Sequence, residues 1–311
     1  MISVVLPTHN PDLGRLRRTL DALVGQSLPR SSWELLVVDN ASSPPLSSTE
    51  IDAVGGRLVL EPTPGLTPAR LAGIRAARGD LLVFVDDDNV LAPDFLVHVL
   101  SIFTRHPQLG AAGGKILPEF ASPPPAWAAE FYGLLALRDL GAEEKIAPGA
   151  PEAPWPDFAP VGAGLAIRRS HALAYTDQIA HDPRRRALDR AGASLASGGD
   201  NDLVFTALHR GGDVAYFPEL RLTHVIPAAR LDAAYLARLN QGIMRTWVRV
   251  LHLHNQCPWP AISPATVPLR AARTWLRMRA WRRPAACIRW HATLGQFQGQ
   301  ADLTYAAHPN R

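Results

Sequence analysis

Four short apolar runs within the first ninety residues each stop at a polar cluster, and helical segments follow the first and the third of them. SVVLP (3–7) is β-branched and closed by a proline, and Leu13, Leu16, Leu20 and Leu23 follow it at the spacing of one helix face. ELLVVDN (34–40), RLVLEP (57–62) and LLVFV (81–85) read as the second, third and fourth strands. Thr67 followed by Pro68 reads as the N-cap and first turn of a helix running through ARLAGIRAA and stopping near Gly79. Such alternation predicts a parallel sheet with helices on both faces, where ligands bind beyond the carboxyl ends of the strands. Thr8 to Asn10, Asp39 and Asp86 to Asp88 all fall on that rim.

The fourth strand ends in LVFVDDDNVL (82–91). Asp and Asn are ordinary turn residues, but a turn needs one or two of them. Three carboxylates together repel and raise one another's pKa unless a positive group sits among them. A hard divalent cation such as magnesium or manganese, which takes carboxylate oxygens and keeps positions open for phosphate, is one solution. A solvated acidic turn is the other.

Later segments carry further chemistry. The region 118–160, with PEFASPPPAW and PGAPEAPWPD, reads as irregular loop. APVGAGLAIRRS (159–170) reads as a glycine-interrupted strand, where backbone can approach a ligand closely. ASGGDNDLVFTALHRGG (196–212) reads as a glycine loop opening a helix with Asp200 and Asp202 in its first turn, where acids also serve as ordinary caps. DVAYFP and then RLTHVIP read as further strands, with His224 near a strand end.

In this order and spacing the motifs VVLPTHN, LLVVDNAS, PGLTPARLAGIRAARGDLLVFVDDD, AAGGKI, VGAGLAIRR and GGDNDLVFTALHRGG resemble those of the family 2 glycosyltransferases over about residues 1–230. The resemblance implies a GT-A fold, an α/β mixed sheet flanked by helices, and a metal-dependent inverting transfer of sugar from a nucleoside-diphosphate sugar, a UDP-sugar foremost, to a hydroxyl acceptor. It implies that Pro7, Thr8, Asn10 and Asp39 line the nucleoside pocket, that Arg70 approaches the diphosphate, and that Asp86 and Asp87 also lie on the nucleotide-sugar. Asp86 and Asp88 match the outer positions of the family's D-x-D motif and imply Mn2+ or Mg2+. Gly162 and Gly164 would let backbone reach the donor sugar. Asp200 matches the general base, with Asp202 as its rival, although Gly199 stands where the family more often has a glutamate. His224 occupies the place of a late metal or diphosphate ligand, and a structural histidine is the alternative. A surface polysaccharide or glycolipid is the acceptor class this reading favours.

Competing classes are each at odds with some feature. A haloacid-dehalogenase-like phosphatase would carry its D-x-D after the first strand, and a nucleotidyltransferase would show a glycine-rich basic loop where this chain has PTHNPDLGR. A catalytically inactive nucleotide-sugar binder or scaffold would not need Asp86, Asp88 and Asp200 together.

A C-terminal extension, 231–311, is expected to be helical. Residues 233–301 contain ten arginines, five of the eight tryptophans and no acid, so the remainder of a chain of net charge +4 is acidic. LRAARTWLRMRAWRR, between Pro268 and Pro284, sets Trp275, Met278 and Trp281 three apart among arginines. Such a helix suits an anionic membrane interface, and packing on the protein is the alternative. Nucleic acid is not expected, because no recognised binding fold accompanies the basic residues. Two cysteines, no signal-peptide pattern at the N-terminus and no run of ~20 apolar residues lead to the expectation of a cytoplasmic protein, peripheral at most on the inner face of the membrane.

Overall fold

In the computed structural model, which describes residues 1–190 and 194–306, the apolar runs become strands, the first, second and fourth buried almost throughout and the third, at the sheet edge, only partly buried. The first strand, β1, is Ile2–Thr8 and is buried throughout. Asp12 caps the following helix α1 (Leu13–Val24), its carboxylate accepting the Arg15 N–H at 3.0 Å, and Leu16, Leu20 and Leu23 form the buried stripe. Then come β2 (Trp33–Asp39), α2 (Ser48–Ala53), β3 (Gly56–Leu60), α3 (Leu66–Ala76), β4 (Leu81–Phe84), β5 (Asn89–Leu91) and α4 (Phe95–Arg105). Helix α3 starts one residue before the expected cap, because Gly65, at φ 135°, makes the turn and Thr67 lies inside the helix.

After α4 the order is β6 (Leu109–Phe120), β7 (Lys145–Ala147), β8 (Ala166–Arg168), α5 (Arg169–His181), α6 (Pro183–Arg186), α7 (Gly199–His209) and β9 (Asp213–Ile226). The nine strands form one mixed sheet in the order β3-β2-β1-β4-β8-β6-β9-β5, with β7 on β9. β1 to β4 are parallel to their neighbours among themselves, as the alternation predicts. Past β4 the pairing turns antiparallel, through β8 against β4 and β6.

Three local expectations change. The segment 159–170 is strand only over Ala166–Arg168, because 159–165 is used as a loop at the end of β4. DVAYFP and RLTHVIP are one continuous strand, β9, whose Pro218 falls between the stretch paired with β7 (214–216) and the stretch paired with β5 (222–224). Within the irregular 118–160 region, Ala126–Leu135 winds into 3-10 turns.

The chain divides into two compact units. The first comprises Met1–Glu119, Ala136–Arg186 and Asp200–Val225. Its core sets Val4, Leu6, Leu35, Val37 and Val83 of the parallel strands with Leu16, Leu20 and Leu23 of α1 and Phe95, Val99 and Ile102 of α4. The second comprises Phe120–Leu135, Ala187–Gly199 and Ile226–Arg311. It is built on α8 (Ala233–Leu253), α9 (Val267–Met278) and α10 (Pro284–Ala306). Asn240 of α8 donates to the Ile288 carbonyl at 3.0 Å, and Arg245 makes a two-point contact with Asp302 at 2.8 Å. No helix among the described residues is long and apolar enough to cross a membrane.

Candidate active site

The carboxyl ends of β1, β2 and β4 bring the first group of candidate residues onto one rim. Pro7 and Thr8 close β1 and are buried, whereas Asn10 is exposed and takes a left-handed φ of 47°. The Asn10 side-chain oxygen accepts the Ser43 N–H at 2.8 Å and its main-chain N–H donates to the Ser42 hydroxyl oxygen at 2.9 Å, which ties the end of β1 to the loop after β2. Asp39 is 2% exposed, and its two oxygens accept the N–H groups of Ser42 at 3.0 Å and Leu46 at 2.9 Å. Its carboxylate therefore shapes the 42–46 loop. Asn40, which no motif singles out, clamps the next loop by donating to the carbonyls of Glu61 and Thr63 and accepting the Gly65 N–H at 2.7 Å.

The three aspartates diverge. Asp87 accepts the Thr8 hydroxyl, which joins the end of β4 to that of β1. Asp86 stays partly exposed, its N–H bonded to the Asn89 side chain at 3.3 Å. Asp88 turns inward, where its Oδ1 lies 3.3 Å from Nε2 of His224 and accepts the Asn89 amide at 3.1 Å. The β5–β9 register, which pairs Asn89 with His224, holds the carboxylate beside the imidazole. This buried pair supplies one oxygen and one nitrogen donor, a set that suits a divalent cation also bound by phosphate and water. No group of three or more His, Cys, Asp or Glu placed to hold a metal is found among the described residues.

The second group gathers at the loop before β8. Asp200, partly exposed in the first turn of α7, accepts the Gly162 N–H at 2.7 Å on Oδ2 and the Asn201 N–H at 3.0 Å on Oδ1. A Cβ at Gly162 would stand 2.5 Å from an Arg70 guanidinium nitrogen and 3.1 Å from Asp200 Oδ2, so the glycine marks the place where the cation and the carboxylate converge. The loop is tied to β4 by Gly164 N–H to the Phe84 carbonyl at 3.0 Å and Phe84 N–H to the Leu165 carbonyl at 2.9 Å. Gly164 has φ +71°, and a Cβ there would meet Leu222 at 2.5 Å. Gly164→Ala should therefore cost about 1–3 kcal/mol in left-handed strain and crowding. Urea unfolding of the variant checks this, and an unchanged midpoint would contradict it.

Asp202 sits two residues from Asp200 in different surroundings. It is fully buried and ion-paired with Arg185, which no sequence pattern indicated. Arg138, also missed because the surrounding LALRDLG carries no motif, bonds the Ala159 carbonyl. Burial pulls its guanidinium below the ordinary arginine value, opposed by the charges of Asp200 and Asp157. That places a desolvated cation within electrostatic reach of Asp200.

The sequence model for glycosyl transferase family 2 matches residues 3–145. Residues 3–145 thus carry the sequence pattern of that family. The chain is 24% identical to the succinoglycan biosynthesis protein ExoM of Rhizobium meliloti over 249 residues, covering 76% of the chain and 71% of ExoM. It spans between 12% and 71% of the lengths of the curated relatives it matches, and under half of several of them. The fold is similar to that of the mannosyltransferase PcManGT from Pyrobaculum calidifontis, solved with GDP-Man and Mn2+, at TM-score 0.54 and 18% identity over 100% of this chain and 76% of that one. It is also similar to S. aureus TarS 1-349, solved with UDP-GlcNAc, at TM-score 0.51 and 14% identity over 98% and 92%. The chain thus has the GT-A fold.

Proposed function

We propose that the chain transfers a sugar from a nucleoside-diphosphate sugar to a hydroxyl acceptor with inversion at the anomeric carbon, in the synthesis of a surface polysaccharide or glycolipid. The observation that carries this reading is the convergence at Gly162, whose main-chain N–H holds Asp200 at 2.7 Å and whose Cα side is approached by both that carboxylate and the Arg70 guanidinium. A sugar hydroxyl is a poor nucleophile until its proton is leaving, and a fixed, partly exposed carboxylate is the group that takes it. Each oxygen of Asp200 receives a single main-chain N–H, so each keeps lone-pair capacity for the acceptor proton. Asp202 is a poor candidate for the same task, since it is shut from solvent and held by Arg185.

At the other end of the reaction a diphosphate departs with growing negative charge. Arg70, 5% exposed with its guanidinium 5.9 Å from the Phe84 ring centroid, is the cation this reading assigns to it. Asp88 and His224 would hold Mn2+ or Mg2+, with Asp86 assisting, and the ion when bound would offset the leaving-group charge. Thr8 and Asp87 fix the rim between β1 and β4 on which the nucleoside and diphosphate would lie, with Pro7 and Asn10 bordering it. Asp39 would serve the nucleoside through the loop it shapes as well as through its remaining lone pairs. The donor class is supported by the nucleotide-sugars bound to the two structural neighbours, and UDP-sugars are favoured. A cytoplasmic location, peripheral on the inner face of the membrane, goes with a lipid-borne or surface-bound acceptor.

A thermal-shift panel of UDP- and GDP-sugars with and without Mn2+ tests the donor side. One nucleotide family should raise the midpoint, and more so with the metal. A panel in which no nucleotide-sugar shifts it under either condition would contradict the assignment.

A further inference from the structure

Helix α9 has two faces of different character. Val267, Ala271, Thr274 and Met278, at positions i, i+4, i+7 and i+11, point into the second unit. There the Trp290 indole of α10 donates to the Ala271 carbonyl at 3.1 Å, and the Thr293 hydroxyl lies 3.9 Å from the Met278 sulfur. Met278 is therefore an anchoring residue and not part of an outward stripe, as its three-residue spacing from Trp275 and Trp281 suggested. The apolar residues that do face outward are Leu269, 65% exposed, and Leu276, 60% exposed, with Ala272 between them at i+3.

The helix stops at Met278, where Arg279 turns left-handed at φ 50°, and the chain folds back so that Trp281 packs on Trp275 with ring centroids 4.6 Å apart and planes tilted by 40°. Trp281 is 53% exposed and Trp275 37%. Arg270, Arg273 and Arg277 share the spacing of the leucine row, displaced by one residue, and so form a parallel exposed row on one flank. Arg279, Arg282 and Arg283 extend the charge through the turn. No acidic residue occurs between 233 and 301 to balance them.

We propose that this face of α9 and the turn after it dock on the surface of an anionic phospholipid bilayer, with Leu269, Leu276 and the tryptophan pair at the headgroup boundary and the arginine row against the lipid charge. Leucine beside paired tryptophan suits a medium that is apolar on one side and wet on the other, and arginine can lie along the same boundary with its head in the polar layer. A second copy of this chain is a poorer occupant, since a symmetric contact through this face would bring two arginine rows together. The proposal is independent of the reaction assigned above, because binding is read with neither donor nor acceptor.

The experiment is co-sedimentation of the full chain with vesicles of phosphatidylcholine alone or mixed with phosphatidylglycerol. The wild type should bind the mixed vesicles and not the neutral ones, and should be released as salt shortens the Debye length from ~10 Å at 0.1 M to ~3 Å at 1 M. Arg270→Gln, Arg273→Gln and Arg277→Gln together should weaken the partition roughly a hundredfold, at about 1 kcal/mol per arginine near an anionic surface. Leu269→Asp with Leu276→Asp should weaken it as well, with circular dichroism and melting unchanged because both positions are exposed. Equal binding to both vesicle types, binding to neither, or a wild-type dimer that Leu276→Asp dissociates would each overturn the proposal.

Discussion

Asp200→Asn should lower sugar transfer by roughly 10²- to 10⁴-fold, the range typical of losing a general base. The substitution keeps the size and planarity of the side chain, and the amide oxygen can still accept the Gly162 N–H, so the loop before β8 should hold its place. What is lost is the basic lone pair. Nucleotide affinity should change far less than turnover, because the nucleoside rim and the Asp88–His224 pair lie on other elements and only Arg70 of the proposed nucleotide contacts is close to Asp200. Asp202→Asn makes the informative partner, since its carboxylate is buried against Arg185. That variant should lose stability by about 3–5 kcal/mol, the cost typical of breaking a buried ion pair, and keep its turnover per folded molecule. Turnover that survives Asp200→Asn and collapses in folded Asp202→Asn would move the base by two residues.

The second large effect is expected at the other end of the site. Asp88→Ala should remove most of the metal dependence of nucleotide binding, weakening metal-supported affinity beyond the roughly 10–100-fold that a change behind the ligands costs. Asp88 is the buried carboxylate within 3.3 Å of an imidazole, and His224→Ala should shift affinity in the same direction. Calorimetry with UDP or GDP, with Mn2+ and again with excess chelator, measures it. Equal binding by wild type and Asp88→Ala, or by wild type with and without chelator, would mean that the pair only joins β5 to β9.

The residues that sequence made legible share a physical reason. The parallel strands β1, β2 and β4 are buried on both faces, so they stand out as continuous apolar runs, and their polar ends mark the rim. A register is not written in such runs, and so the antiparallel return through β8 and the continuity of β9 across Pro218 were not foreseen from periodicity. The glycines of VGAGLAIRR were legible as a close-approach signal, yet what approaches Gly162 is the chain's own Arg70 and Asp200. Arg138 and Arg185 were invisible because an arginine's role here is set by which carboxylate the fold brings near it, and those contacts span 17 residues in one case and a loop crossing in the other. In α9 a three-residue spacing is shared by several faces of a short helix, and only the packing of Trp290 on Ala271 decides which of them is inside.

The most direct test of the central claim is a turnover assay on the wild-type chain with Mn2+, a panel of nucleotide-sugars and an acceptor mixture extracted from membranes, reading the nucleoside diphosphate released. The account predicts that one donor releases its nucleoside diphosphate, that acceptor accelerates the release, and that Asp200→Asn abolishes the acceleration. A chain that binds a nucleotide-sugar with Mn2+ yet releases no nucleoside diphosphate to any acceptor or to water, or one that instead liberates pyrophosphate from a nucleoside triphosphate, would contradict it.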